Sequence, residues 1–437
     1  MRITVLGCGY LGATHAACMA ELGYDVLGVE IDDLRRATLA RGELPFYEPG
    51  LADLLARHVA SGRLRFTGSY EEAGAFGDLH FMCVGTPQSE DGLGADVSQV
   101  NAAIETLAPH LTRPALVVGK STVPVGTAAR LAARLAELAP VGADAELAWN
   151  PEFLREGHAV QDTLEPDRLV LGVASAHAEE RLRHFYRDLL DRGTPLVVTD
   201  FATAELVKVS ANAFLATKIS FINAVSEVCE ATGADVVDLA DALGHDARIG
   251  RRFLNAGIGF GGGCLPKDIR AFLHRAGELG VDDAMAFLRE VDDINQRRRT
   301  HVVTIASRLL GGDVEGKRVA VWGAAFKPDS DDVRDSPALW IAGQLHLRGA
   351  GVRVYDPKAA HTARRVFPTL EYAGSALDAV RDADLVLHLT EWPEFREVDL
   401  AAVTAAARGR TILDGRNCLD LAAWRAAGWT AKGLGRR

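Results

Sequence analysis

Residues 259–268 read Gly-Phe-Gly-Gly-Gly-Cys-Leu-Pro-Lys-Asp, and they carry the strongest chemical signal in the chain. Four glycines in five positions let backbone approach another group closely, and Cys264 follows at once. Pro266 tolerates a first-turn position, which predicts a helix that starts beside it with Cys264 just before its N-terminus. The helix dipole and the Lys267 ammonium both favour a thiolate there, and a thiolate is a nucleophile. Asp268 adds a carboxylate in the same turn. The decapeptide also fits a glycine-rich turn around a small buried thiol, and alone it does not separate the two.

Two other places offer groups for the same kind of chemistry. Asn150-Pro151-Glu152-Phe153-Leu154-Arg155-Glu156-Gly157 follows an expected strand, so Glu152 is either a general base at a strand end or an acid at a helix start. Segment 202–232 has no Gly or Pro and an apolar repeat at helical spacing, with Gly233 as a stop. Lys208 and Asn212 lie four apart on it and share a face. Lys208 sits in an apolar run, where a lysine either snorkels to water or meets an anion. With an asparagine amide beside it, it could hold a developing oxyanion. Arg248, Arg251 and Arg252 precede the glycine stretch, and Lys327, Arg334 and Arg416 lie in the last third. Each fits a solvated surface, and each also fits a diphosphate site.

A second glycine motif opens the chain. Gly7-Cys8-Gly9-Tyr10-Leu11-Gly12 follows a strand starting at residue 2 and opens a helical pattern. Gly7 allows a tight turn, Gly9 lets a pyrophosphate approach, and Gly12 lets helix and strand pack closely. Glu30 ends the next strand, 18 residues past Gly12, where an acid bonds ribose hydroxyls and repels a 2′-phosphate. That favours NAD over NADP, and Arg35 nearby works against the preference. Loops 83–87 and 120–124 place Thr86, Ser121 and Thr122 after two further strands, as caps or as ligand contacts at the carboxyl edge of the sheet.

These residues need a scaffold, and the pattern supplies one. Segments 3–6, 26–29, 79–84, 115–118, 146–149, 168–173 and 196–199 read as strands alternating with helices. Helical pattern follows 202–232 and runs through 284–295, and strands return at 318–322, 352–355, 384–389 and 411–413. The second set repeats the first in outline, with Asp356 placed as Glu30 is, but Gly323-Ala324-Ala325 replaces the glycine pattern. The expected fold is α/β, with two Rossmann-like doubly wound domains joined by a long central helix and a helical middle region. The expected domains are 1–200, 201–300 and 301–437, with a frayed basic tail from Gly433. A net charge of −11 argues against non-specific nucleic-acid binding. The first residues do not read as a signal peptide, and no apolar run reaches membrane-span length. Six scattered cysteines without a CxxC pair suggest free thiols in a reducing compartment, with no metal site.

Taken together, the motifs resemble the UDP-glucose/GDP-mannose dehydrogenase family. The resemblance runs over nearly the whole chain: GCGYLG, the VGTP and KSTVP loops, NPEFLREG, AELVKVSANAFLATKISFINAVSE, RIG, GFGGGCLPKD, the INQRRR run, FKPDSDDVRDS and DGRN. It implies a cytoplasmic enzyme that oxidises UDP-glucose to UDP-glucuronate with NAD, in two steps and four electrons, through a thiohemiacetal and a thioester on Cys264. Lys208 and Asn212 would stabilise oxygen at C6, with Asp268 orienting the lysine and water. Glu152, with a water held by Thr122, would be the base in thioester hydrolysis. Besides the glycine turn with Tyr10 and Leu11, the NAD contacts implied are Glu30, Arg35, Thr86, Thr122, Glu152, Lys267 and Arg334. The nucleotide sugar would be held by Glu152, Phe153, Leu154, Arg155, Glu156, Lys208, Asn212, Arg248, Asn255, Gly259, Phe260, Gly261, Lys327 and Arg416. The helix at 202–232 would pair with its copy in a homodimer, with an arginine such as Arg248 reaching the neighbour's site. Glu30 and Gly263 depart from the family pattern, where Asp and a Ser or Tyr are common. The same chemistry on GDP-mannose or a UDP-N-acetylhexosamine, and a two-electron hydroxyacid oxidation, stay open at this level.

Overall fold

The computed structural model describes residues 1–90 and 92–437. The chain forms two compact units, Met1–Ala211 with Arg270–Gly280, and Asn212–Ile269 with Val281–Arg437. Residues of the central 201–300 segment are thus shared between the two.

The first unit is built on eight strands: β1 (Arg2–Leu6), β2 (Asp25–Val29), β3 (Leu64–Thr67), β4 (Leu79–Met82), β5 (Ala115–Gly119), β6 (Ala145–Trp149), β7 (Leu169–Val173) and β8 (Leu196–Thr199). Their order is β3-β2-β1-β4-β5-β6-β7-β8, parallel except for the antiparallel β6–β7 pair. Helices cover both faces, so the strands are near-continuous apolar runs. Ile3 and Val5 join Ala13, Ala16 and Ala17 of the helix Tyr10–Glu21 in one core, and Leu6, Val29, Met82 and Val117 form the opposite one. Strand order reverses between β1 and β4, which places a crevice at their carboxyl ends.

The second unit carries β9 (Arg318–Trp322), β10 (Gly351–Tyr355), β11 (Glu371–Tyr372), β12 (Leu385–His388), β13 (Thr411–Asp414) and β14 (Thr430–Gly433) in the order β11-β10-β9-β12-β13-β14, all parallel. The two-fold α/β architecture is the one expected. Every expected strand is present, and the three unexpected ones, β3, β11 and β14, are all sheet edges. Edge strands are short and half solvated, so they lack the apolar run that marks an interior strand.

The long helix spans Phe201–Thr232, about 48 Å at 1.5 Å per residue, and Gly233 ends it with φ +75°. Near its start, buried Glu205 accepts from the Gly126 and Ala128 amides at 2.7 Å, tying the helix to the loop after β5. Helix expected through 284–295 continues as Phe287–Leu309, because the charged run beyond it faces inward: Arg298 and Arg299 are buried. No helix among the described residues is long and apolar enough to cross a membrane.

The tail is not frayed. Leu434 is fully buried, its amide and carbonyl pair with the Asn417 side chain at 3.0 and 2.7 Å, and the Gly435 amide donates to Glu230 at 3.0 Å. Its basic composition misled because the arginines themselves find partners, Arg436 with Asp235 at 3.5 Å and Arg437 with the Gly233 carbonyl at 2.5 Å, beside the backbone pairs and the buried Leu434 side chain. Leu434→Ala is expected to cost about 2–5 kcal/mol, as for other buried leucines. Urea denaturation measures this, and an unchanged midpoint would show the tail to be loose in solution.

Candidate active site

The crevice end of the first unit is assembled from loop backbones. Gly7 has φ +81°, and a Cβ on it would lie 2.8 Å from Val84 Cγ1. A Cβ on Gly12 would lie 1.8 Å from the Gly7 carbonyl oxygen. Both glycines are therefore required by the protein's own packing. Gly9 differs: a Cβ there would meet nothing within 4 Å, and Gly9 gives the helix no side-chain cap. Open space at a helix N-terminus fits the phosphates of a dinucleotide. Tyr10 and Leu11 begin that helix. Glu30 is buried behind the turn and accepts from the amides of Cys8 at 3.2 Å and Asp32 at 3.0 Å, with Arg35 Nη1 at 3.3 Å. The residues fit NAD, with the acid placed for a ribose.

The second sheet carries another version of this turn. Asp356 stands where Glu30 does, but its Oδ2 accepts from the Ala324 and Ala325 amides at 2.8 and 3.0 Å and from Trp392 Nε1 at 3.1 Å. A Cβ on Gly323 would lie 2.3 Å from Thr390 Oγ1. Asp356 thus engages the Ala325 amide in addition to the one that Glu30 engages at Cys8, in keeping with the lost glycine pattern.

Loops after β4, β5 and β6 are stitched together. Thr86 Oγ1 donates to the Thr122 carbonyl at 2.8 Å, and Ser121 Oγ to the Val84 carbonyl at 2.7 Å. Glu152 accepts from the amides of Phe153 and Leu154 at 2.8 and 3.0 Å, and its other oxygen lies 2.9 Å from Lys120 Nζ. Burial would raise the Glu152 carboxyl, but Lys120 and the two amides outweigh it and hold it below the usual carboxylate range. Glu152 is therefore ionised at neutral pH. The Phe153 ring carries two cations, Arg168 at 3.9 Å and Lys208 Nζ at 5.4 Å from its centroid. Arg155 is engaged by Asp162 at 2.6 Å, Leu154 and Glu156 are half-buried, and the Tyr10 hydroxyl bonds Glu48, which also accepts from the Gly157 and Ala159 amides at 2.7 Å.

In the second unit the helix Leu265–Glu278 starts immediately after Cys264, whose carbonyl accepts from the Asp268 amide at 2.9 Å. Cys264 is exposed. Buried Asp268 takes the Asn212 amide on one oxygen and the Lys267 ammonium on the other, both at 2.6 Å. A Cβ on Gly263 would lie 2.5 Å from the Arg334 guanidinium, which Asp332 holds at 2.6 Å. The departure at Gly263 thus makes room for Arg334 beside the cysteine.

The glycine stretch is clamped from the helix Phe287–Leu309. Asn295 pairs with the Phe260 amide and carbonyl at 2.8 and 3.0 Å, Arg299 Nη2 donates to the same carbonyl at 3.1 Å, and Arg298 Nε donates to the Gly257 carbonyl at 2.9 Å. Cβ atoms on Gly259 and Gly261 would lie 2.4 Å from Asn295 Oδ1 and 2.3 Å from the Asp335 carbonyl oxygen. Arg416 donates to the carbonyls of Gly259, Phe326 and Leu389 at 3.2, 3.1 and 2.7 Å, so it orders three loops. Lys327 Nζ lies 5.4 Å from the Phe326 ring, Asn255 accepts from Arg251 at 2.7 Å, and Arg248 points to solvent with Asp246 at 2.6 Å. His388, Asp414 and Cys418 bring three ligand-type atoms within 4.8 Å, and Asp414 is already engaged by His388 and by the Arg416 and Leu419 amides.

Sequence reasoning missed Lys120, Glu48, Arg168 and the Asn295–Arg298–Arg299 clamp as site residues. Lys120 had a local signal, a charge directly after five apolar strand residues, and the clamp residues lie in the INQRRR run. The others act across long sequence separations.

Residues 1–190, 202–297 and 320–421 match the NAD binding, central and UDP binding domains of the UDP-glucose/GDP-mannose dehydrogenase family. A UDP-glucose 6-dehydrogenase of Bacillus subtilis is 40% identical over 100% of this chain and 98% of its own. One from Pseudomonas aeruginosa is 40% identical at the same coverage. The structure of a UDP-glucose dehydrogenase from Pyrobaculum islandicum superposes with a TM-score of 0.90 at 38% identity, covering 100% of this chain and 98% of that one. A UDP-D-ManNAc dehydrogenase from Pyrococcus horikoshii gives 0.85 at 29%, covering 100% and 99%. The two turn glycines make a separable prediction. Gly9→Ala should keep its melting temperature and lose about tenfold or more in NAD affinity, about 1.4 kcal/mol, whereas Gly12→Ala should fail to fold stably. Calorimetric titration with NAD checks the first, and equal affinity would remove Gly9 from the cofactor site.

Proposed function

Since this chain belongs to the UDP-glucose/GDP-mannose dehydrogenase family and carries its NAD-binding domain, we propose that it oxidises the C6 alcohol of UDP-glucose to the carboxylate of UDP-glucuronate. The observation that carries the reading is an exposed Cys264 at the start of a helix whose first turn supplies Lys267 and Asp268, with Asn212 bound to that aspartate. A two-electron alcohol dehydrogenase has no use for such a cysteine. UDP-glucose is favoured over an acetamido sugar by the full-length 40% identity to UDP-glucose 6-dehydrogenases.

Bound NAD+ supplies the hydride acceptor for both oxidations. The C6 alcohol loses a hydride and a proton to give the aldehyde, with Lys208 and the Asn212 amide stabilising oxygen at C6. Cys264 Sγ adds to the aldehyde carbon, and its proton ends on oxygen as the thiohemiacetal. Loss of a second hydride and of that proton leaves the thioester. Water, deprotonated by Glu152 and placed by Thr122, attacks the acyl carbon and releases the carboxylate and the thiol. Asp268 receives Asn212 on one oxygen, which fixes the amide's direction. Tyr10, Leu11, Glu30, Arg35, Thr86, Lys267 and Arg334 are assigned to NAD, and Phe153 to Glu156, Arg248, Asn255, Gly259, Phe260, Gly261, Lys327 and Arg416 to the nucleotide sugar.

The same reading includes a homodimer through the long helix. Phe214, Phe221 and Val228 are each more than half exposed and recur every seven residues along it, an apolar seam that water would otherwise face. Phe221→Glu should convert a dimer to a monomer in light scattering, and a wild-type monomer would remove this part. The chemistry is tested by counting: UDP-glucose should yield two NADH per UDP-glucuronate, and UDP-N-acetylmannosamine and GDP-mannose should be poor substrates. Cys264→Ala should bind NAD yet form no acid. Acid formation at the wild-type rate would sink the covalent route, and a better turnover with an acetamido sugar would replace the substrate.

A further inference from the structure

Lys120 follows β5 directly and is 4% exposed, a burial that an ammonium tolerates only with partners. Its Nζ donates to Asn150 Oδ1 at 3.0 Å and lies 2.9 Å from Glu152 Oε2. Asn150 is itself fixed: its amide nitrogen donates to the Val170 carbonyl at 2.9 Å, and its oxygen also accepts from the Tyr186 hydroxyl at 2.6 Å. Glu152 Oε1 is taken by the Phe153 and Leu154 amides. A carboxylate has about two lone pairs per oxygen, so one on Oε2 remains for a further donor such as water.

The charges around this pair are few. Tyr186 and Cys83 face it, both pushed up to about 12, chiefly by burial. Burial and Glu152 push the Cys18 thiol up, and burial and Lys120 hold His15 well down. All four are neutral at neutral pH. Lys208 and Arg168 lie over the adjacent Phe153 ring. Burial would lower the Lys120 ammonium, but Glu152, Tyr186 and Cys83 raise it above an ordinary lysine.

We propose that Lys120 is a positioning residue for Glu152: anchored on Asn150, its ammonium fixes both the direction and the charge of the carboxylate, and thereby sets the acid limb of thioester hydrolysis. The proposal rests on the reading of Glu152 as the base in that step. Without the ammonium, burial becomes the dominant influence and the carboxyl holds its proton to higher pH. The acid limb then moves up, and the acyl-enzyme on Cys264 outlives its formation.

The test compares wild type, Lys120→Met, Lys120→Arg and Glu152→Gln with UDP-glucose and NAD, reading the pH profile of NADH release and the mass of acid-quenched protein. Lys120→Met should lose about tenfold for each unit its acid limb moves, recover toward alkaline pH, and show acylated Cys264 on the acid side. Lys120→Arg, which keeps the charge, should return the limb toward wild type. A loss of equal size at every pH, without acylation, would mean that Lys120 only supports the fold and would overturn the proposal. Glu152→Gln should remain acylated at every pH. If it turns over normally, the underlying reading of Glu152 fails whatever the lysine variants do. Should Lys120→Met not fold, infrared titration of the wild-type carboxylate, assigned by difference against Glu152→Gln, decides: a midpoint below the ordinary value of about 4.3 supports the proposal, and one at or above it overturns it.

Discussion

A buried backbone segment that joins no sheet or helix must have its amides and carbonyls satisfied from elsewhere in the protein, and residues 256–262 live under that constraint. The groups that satisfy them are Asn223 on the Gly257 amide, Arg298 on the Gly257 carbonyl, Asn295 on both polar atoms of Phe260, and Arg416 on the Gly259 carbonyl. This explains why two arginines can be buried in a helix. Arg299 is balanced by Asp335 at 2.7 Å, and Arg298 by Glu227 and Glu230 at 3.5 and 3.8 Å. It also explains the glycines, since side chains at 259 and 261 would collide with the clamp. The cysteine that follows is exposed, next to a backbone held from several sides.

The same logic of fixed polar partners runs through the first unit. Glu152 is aimed by Lys120 and two amides, and Glu48 aims the loop beyond it through Gly157 and Ala159. Such networks are costly if half satisfied and rigid when complete. Reactive groups benefit from that rigidity, because a misplaced carboxylate or thiol loses much of its effect on rate. The two sheets show how a related framework separates functions. Glu30 takes one amide of its turn, that of Cys8, whereas Asp356 takes two, those of Ala324 and Ala325.

Much of this was legible in the chain. Interior strands announced themselves because parallel sheets buried on both faces need apolar runs, as in Leu-Val-Val of β5 and Val-Leu of β2. The helix Phe201–Thr232 was readable from the absence of Gly and Pro, and the start of the helix after Cys264 from Pro266. Three of the four edge strands were not, as with Glu371–Tyr372, which is two residues long and half solvated. The tail from Gly433 looked loose because its anchors, Asn417 and Glu230, are distant in sequence.

By itself the sequence determined the α/β class, the glycine turns, the family and the candidate groups Cys264, Lys208, Asn212, Asp268 and Glu152, because each depends on local spacing or on residue type. Only the tertiary structure decided which of these groups are held and by what. Lys120 became the partner of Glu152 through a 30-residue separation from Asn150, and Asn295 met Phe260 across 35 residues. Nor does the pattern GxGxxG say that Gly12 serves packing while Gly9 faces open space; that follows from where the Gly7 carbonyl lies. Periodicity and propensity act over a turn or a strand, while hydrogen-bond satisfaction in a buried site is settled by whichever elements the fold brings together.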